Sequence, residues 1–408
     1  MAKVTEVATG KLLVERDFPQ IFLHPITVKY SSLGGAAGWL GPALTGIATC
    51  PDGAGKYQHY ANGSIYWHPN TGAHEVHGLI RARWQAMGWE RSILGYPISD
   101  ESKCPDNIGR FNHFQNGSIY WSPSSGAWEV HGSIRAKYAQ LGWEKSFLGY
   151  PLTNENTCPD GVGKYNHFQG GSIYWSPFTG AFEVHGWIRQ HWSTLGWERS
   201  PLGYPISDET AVFGGAGRIS NFQHGSIYWS TTAGPRVLKE RLRVHIKILS
   251  QPTTFTMNEQ FAAMQEVYSV AGIRVDWATT ENLNLASLND VDVGGCTMGS
   301  VSAEQTALFG HRNFVGANEV VVYMVRSTIP GYNGCAAYPN GRPGAVVVRT
   351  ASRWTLGHEL GHVLGLPHVN DNNRLMTGNG TFNITNAPPD LIAGESNTMI
   401  GSGLSVKL

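Results

Sequence analysis

HGSIRAKYAQLGWE, His131 to Glu144, returns in altered form 54 residues earlier and 54 residues later, and its reading decides the fold of the first half of the chain. Ile134, Tyr138 and Leu141 stand at i, i+4 and i+7, which predicts a two-turn helix ended near Gly142. LGYP (Leu148–Pro151) follows as a tight turn stiffened by its proline. Ahead of the helix, RFNHFQNGSIYWSPSSGAWEV (Arg110–Val130) reads as strand, Asn-Gly hairpin turn, strand, second turn and third strand. One short helix and a small meander cannot bury their apolar faces alone. Neighbouring copies must supply the cover, either stacked as a solenoid or closed into a propeller-like ring.

The copies are easy to follow. GSIYW recurs at Gly63–Trp67, Gly117–Trp121, Gly171–Trp175 and Gly225–Trp229, and LGYP at Leu94–Pro97, Leu148–Pro151 and Leu202–Pro205. EVHG recurs at Glu75–Gly78, Glu129–Gly132 and Glu183–Gly186. The units run over about 24–77, 78–131, 132–185 and 186–236, so a tandem-repeat domain is expected over 1–236 and a second domain over 237–408. The end copies deviate. Ile47 stands where the others carry Glu101, Glu155 and Glu209, Val212 replaces the recurrent cysteine, and Asn221 replaces His59, His113 and His167. A terminal copy faces solvent or another domain on one side, and deviation there is expected.

Composition narrows the partners. Charged residues are 15%, with Lys+Arg and Asp+Glu equal at 30 each, so no overall field favours nucleic acid. No apolar run is long enough for a membrane span. The opening MAKVTEVATGKLLVERDF lacks the uninterrupted apolar stretch of a secretory signal. Compartment and oligomeric state stay open. Cys50, Cys104 and Cys158 each begin a CPD at one position of the repeat and are expected to remain thiols in turns, which leaves Cys296 and Cys335 for a disulfide.

The repeats resemble LGFP repeats, a 54-residue module of bacterial cell-envelope proteins, in both period and core motif. That resemblance implies attachment to a glycan or cell-wall polymer. Twelve of the fourteen tryptophans lie in this half. Tyr120, Trp121 and their equivalents are expected mostly in unit cores. Trp89, Trp143 and Trp197, beside their glycines, with Trp121 and Trp175, are the candidate ligand-binding positions.

Beyond Gly234 the pattern changes. RLRVHIKIL (Arg241–Leu249) alternates as a half-buried strand, and Thr256 with Glu259 forms a capping box ahead of the stripe Phe261, Met264, Tyr268 and Ala271, closed by Gly272. IRVDW, EVVVYMV and GAVVVRT read as further strands. The domain is mixed α/β. Near its end stands TLGHELGHVLGLPH (Thr355–His368). On a helix from Trp354 to Leu364, His358 and His362 project from one face and Glu359 lies beside them. Gly365 then breaks the helix in a left-handed conformation, and His368 returns as a third ligand. Three neutral imidazoles around one Zn2+ leave a fourth position for water, the pattern of a catalytic site, with Glu359 as general base.

HExxHxxGxxH is the metzincin signature, and the resemblance extends to NRLMTG (Asn373–Gly378), where Met376 takes the place of the methionine turn beneath the metal. It implies a zinc endopeptidase acting on polypeptides bound along an edge strand, with the segment from Cys335 to Arg349 as a cleft wall. A tyrosine that assists zinc in some members has no counterpart, because its position is Gly378. Ca2+, bound by some members, lacks a matching loop; Asp290, Asp292 and Asp371 read as solvated carboxylates. The alternative is a lectin or cell-surface binding protein whose second domain is cargo or of very narrow specificity.

Overall fold

The computed structural model describes residues 23–408, so the reading of the N-terminal eighteen residues lies outside the described residues. The chain forms two compact units. One is built on the residues up to Asn156 with Asn166–Gln169, the other on Thr157–Tyr165 with Gly170–Leu408. The division falls inside the third repeat instead of near 236, because the fourth repeat packs with the C-terminal region.

Each repeat contributes one helix and one antiparallel sheet of four strands, one more strand than the sequence indicates. In the second repeat the strands are Ser102–Lys103, Arg110–His113, Gly117–Ser122 and Gly126–His131. Strands stay within their own sheets, and no closed barrel forms among the described residues. The helices end as expected: Gly142 caps Gly132–Leu141 at φ 104°, where a side chain would be strained.

Helices are covered from two sides. In the first unit, Ile80 and Trp84 of helix Gly78–Met87 pack with Tyr66 and Val76 of the sheet before and Phe114 and Ile119 of the sheet after. In the second, Ile188 and Trp192 pack in the same way between Tyr174 and Val184 and Phe222 and Ile227. Trp84 and Trp192 are fully buried. Asn116-Gly117 is not the central pair of a two-residue turn, because the register joins His113 to Ser118 and Gly117 already pairs with His131. Gly117 is small for packing: a Cβ there would lie 2.5 Å from Leu94 Cδ2 and 2.8 Å from the Val130 carbonyl oxygen.

Polar joints recur with the period. Glu75 and His77 meet at 2.7 Å, His77 Nε2 reaches Glu101 at 3.0 Å, and the Glu101 amide donates to Glu75 at 3.0 Å. Glu129–His131–Glu155 and Glu183–His185–Glu209 repeat the arrangement. Ile47 replaces the glutamate where no copy precedes. A second contact links each sheet to the next helix: Arg81, Arg135 and Arg189 donate from Nε to Ser64, Ser118 and Ser172 at 2.6–2.7 Å.

The fourth sheet has no following repeat helix. Its last strand runs over Gly234–Leu238, two residues past the expected boundary, so Thr231–Arg236 is turn and strand, not linker. In place of the helix arginine, Arg274 of the C-terminal region donates to Ser226 at 3.0 Å and to Asn221 at 2.8 Å. That is the physical reason for asparagine at 221, whose side-chain oxygen accepts both Arg274 and the Ser226 hydroxyl.

The C-terminal region starts one residue later. Its elements are β1 (Glu240–Ile248), α1 (Met257–Tyr268), β2 (Ile273–Asn282), β3 (Asp290–Asp292), α2 (Ala303–Leu308), β4 (Val320–Val325), β5 (Ser327–Ile329), β6 (Gly334–Cys335), β7 (Gly344–Val348), α3 (Thr355–Val363), α4 (Ala393–Gly401) and β8 (Val406–Lys407). The main sheet is ordered β2-β1-β4-β7-β6, parallel except for β6, with β8 antiparallel on β1. The expected long loop between β2 and β4 contains α2, which the capping box of Ser302 and Gln305 starts. Helices α1 and α3 share a core with the sheet, and β1 is buried on both faces at His245 and Lys247, beyond the half-burial its alternation suggests.

The repeat joints carry a pH dependence. Although burial opposes it, hydrogen bonds and charge from the flanking glutamates raise His77 and His131 to about 9, and His185 is raised for the same reasons, against an ordinary 6.5. Raised histidines contribute their full stabilisation below the unfolded value and lose it as pH climbs through the folded one. The denaturation midpoint of the repeats should therefore fall between pH 6.5 and about 9, and His131→Gln should flatten that fall. A midpoint that is level or rising over this window would contradict the role of the triads.

Candidate metal centre

Helix α3 presents His358, Glu359 and His362 as expected, with Trp354 and Leu364 as its caps. It ends in a Schellman turn: the Gly365 amide donates to the His362 carbonyl at 2.9 Å and the Leu366 amide to the Gly361 carbonyl at 3.0 Å, with Gly365 at φ 93°. The turn brings His368 back to the helix. Nε2 of His358 lies 3.2 Å from Nε2 of His362 and 3.2 Å from that of His368, and His362 and His368 stand 2.9 Å apart.

Backbone carbonyls set the tautomers. His358 Nδ1 donates to the Leu375 carbonyl at 2.7 Å, and His362 Nδ1 donates to that of Leu366 at 2.7 Å. A carbonyl can only accept, so each neutral ring carries its proton on Nδ1 and turns a bare Nε2 lone pair inward. Burial lowers His358 to about 4 and also lowers His362, which keeps both rings neutral. The inward lone pairs of His358 and His362 repel each other unless a cation lies between them, and His368 brings a third ring nitrogen to the same point. Three nitrogens about 2.05 Å from one tetrahedral zinc would be about 3.3 Å apart, close to the spacing here. The donor set fits a single Zn2+.

Met376 is fully buried, with its sulfur against Gly361 of α3. Its segment does more than pack. Leu375 holds His358, the Met376 carbonyl accepts the Val369 amide at 2.9 Å beside His368, and the Gly378 amide donates to Val369 at 2.9 Å. Two glycines outside the expected set are required here. A Cβ on Gly361 would come within 2.5 Å of Met376 Sδ, and a Cβ on Gly334, in edge strand β6, would lie 2.6 Å from Glu359 Oε1. Gly361 fills a free position of the histidine motif, and Gly334 belongs to a strand too short for a periodic signal. Glu359 is buried, and burial alone pushes its carboxyl up to about 8.

The histidines and Glu359 line a cleft of about 850 Å³. Its walls include Cys296, Met298, Tyr332, Gly334, Ala337 and Thr381. Cys296 and Cys335 form a disulfide that ties the 294–300 loop to β6. Asp290 pairs with Arg326, while Asp292 and Asp371 accept backbone amides from Gly294 and Asn373. These three carboxylates do not converge.

The repeat tryptophans divide. Trp89, Trp143 and Trp197 are half-buried, and Arg81, Arg135 and Arg189 lie over their rings at 5.2–5.3 Å. Each also stacks on a core tyrosine, Tyr66, Tyr120 or Tyr174. They hold φ of 58–59°, a left-handed backbone unusual for a bulky residue. Trp121 and Trp175 are likewise half-buried, with small Ala127 and Ala181 as cross-strand partners on one side and Arg110 opposite Trp121 on the other.

Comparison with known proteins identifies the LGFP repeat at residues 40–92, 94–146, 148–200 and 202–245. No curated protein matches the chain in sequence. Among solved structures, metalloproteinase-II from Bacteroides fragilis is similar over 60% of this chain and 80% of its own, with 14% identity and a TM-score of 0.31. Archaemetzincin from Methanopyrus kandleri is similar over 40% of this chain and 95% of its own, with 15% identity and a TM-score of 0.29.

Zinc binding should register as stability. At a free concentration of 100 times Kd, zinc should stabilise the fold by about 2.7 kcal/mol, and a chelator should remove that gain. Calorimetry of wild type beside His362→Ala checks this; an equal zinc-induced rise in Tm for both proteins would contradict the assignment.

Proposed function

We propose that this LGFP-repeat protein is a zinc-dependent endopeptidase of metzincin type, fixed to a glycan or cell-wall polymer by its repeats. The reading rests on one observation above all: three inward-facing Nε2 atoms within 2.9–3.2 Å of each other, with a buried glutamate beside them at an open cleft. His358, His362 and His368 would hold the ion. When bound, zinc polarises the scissile carbonyl and makes water acidic enough to attack near neutral pH.

The chain's own residues do the rest. The carbonyls of Leu375 and Leu366 keep the ligand rings oriented. Strand β6 lies at the sheet edge and offers backbone groups to an extended peptide, which places the scissile bond over the histidines. Glu359 accepts a proton from the attacking water and delivers it to the leaving amine nitrogen, so that the amine departs neutral. Gly334 leaves room for that carboxylate. Met376 and the Val369 pairing hold the floor.

For the repeats, Trp121 and Trp175 are the better sugar platforms, since arginine and tyrosine already cover Trp89, Trp143 and Trp197. Attachment would raise local substrate concentration without altering the active site. The lectin alternative differs in one respect: zinc would bind without turnover.

A diverse peptide mixture incubated with wild type and with Glu359→Ala, read by mass spectrometry, tests the reading. Wild type should cleave, and the variant should retain zinc while losing activity by about 10²–10⁴-fold, the usual contribution of a general base. His358→Ala should lose activity together with the zinc held by the histidine set. Cleavage by Glu359→Ala at the wild-type rate would overturn the assigned base.

A further inference from the structure

The CPD turns bring together donor atoms that the peptidase reading does not use. Cys104 Sγ, an Asp106 carboxylate oxygen and a Glu144 carboxylate oxygen lie within 4.8 Å of one another, and Cys158, Asp160 and Glu198 repeat the arrangement one period later. The cysteines and glutamates are buried, whereas Asp106 is half-buried and Asp160 exposed. Each aspartate is fixed: the Ile108 amide donates to Asp106 at 2.8 Å and the Val162 amide to Asp160 at 2.8 Å. Tyr150 and Tyr204 hydroxyls donate to the same carboxylates at 2.6–2.8 Å.

The glutamates are the anomaly. Glu144 and Glu198 are each only 7% exposed, yet Oε1 of each is buried with no hydrogen-bond partner. Among the described residues, neither forms an ion pair. A buried carboxylate in that condition needs a proton or a cation. The chain itself couples the thiol to the glutamate. Each glutamate comes from the turn after the following repeat's helix, and the fourth sheet, which has no such helix, carries Val212 where the others carry cysteine. The first joint has Cys50, Asp52 and Glu90, but there the three are not drawn to the same spacing.

We propose that the second and third repeat joints each bind one soft divalent cation, Zn2+ or Cd2+, through Cys104, Asp106 and Glu144 and through Cys158, Asp160 and Glu198. One sulfur with two carboxylates suits a borderline or soft ion and disfavours Ca2+ or Mg2+, which take oxygen only. Burial holds both thiols near 12, so they are protonated without metal. Binding therefore forms a metal–sulfur bond and releases the thiol proton, together with any proton carried by the glutamate, to solvent. The ion would pin the sheet of one repeat to the turn of the next.

Cadmium titration of the full-length protein tests this, because cadmium–thiolate bonds absorb in the ultraviolet and the histidine set contains no sulfur. The band should saturate at two ions per chain. Glu144→Gln or Glu198→Gln alone should halve it, and Cys50→Ser should leave it intact. Zinc content by elemental analysis should fall from three per chain to one in Glu144→Gln/Glu198→Gln. Wild type with no cadmium band and one zinc per chain would overturn the proposal, and would mean that both glutamates are held as neutral acids. Since the decisive reading is on wild type, a variant that fails to fold does not protect the idea.

Discussion

A repeat helix apolar on two sides has to be covered from two sides, and much of this molecule follows from that constraint. Trp192 and Ile188 cannot be hidden by one small sheet, so the sheet before and the sheet after both close on them. The period, the Glu–His–Glu joints and the arginine-to-serine contacts all serve that closure. The series then needs an end. At the fourth sheet the C-terminal region takes the place of a fifth helix, and Arg274 occupies the serine socket that Arg189 fills one repeat earlier. Phe213 of the fourth repeat extends the contact by stacking on Phe261 of α1, which stacks in turn on Trp277.

The same region places the histidines by backbone means. Gly365 allows the Schellman turn, which returns the Leu366 carbonyl to His362 and carries the chain on to His368. The segment around Met376 then binds His358 through Leu375 and pairs with Val369. Each of the three histidines is thus fixed by a main-chain contact at or next to it, the rigid support that a preorganised metal site would require. Tyr268 adds a link to the core by donating to the Gly357 carbonyl at 2.8 Å.

Much of this was legible in the sequence where a local signal carried it. The period shows as recurrence of short motifs 54 residues apart, and the capped helices, the strands, the helix bearing His358 and His362 and the left-handed Gly365 depend on spacing within a few residues. What was not legible depends on distant partners. Asn116-Gly117 reads as a hairpin turn, but Leu94 and Val130 decide that Gly117 is a packing position. Asn221 deviates because of Arg274, more than fifty residues on. Gly334 and Gly361 look like ordinary loop and helix glycines until Glu359 and Met376 are seen against them. The two-residue strand at Gly334–Cys335 has no periodicity to read, although it forms the edge beside the cleft.

The central claim is that His358, His362 and His368 converge because one ion belongs between their Nε2 atoms. Anomalous diffraction at the zinc edge, from crystals of the full-length protein grown with zinc, tests it most directly. An anomalous peak is expected about 2.0–2.1 Å from all three nitrogens, with Glu359 beside it. Histidine rings joined only by water or turned apart in zinc-containing crystals, with no anomalous peak among them, would contradict it.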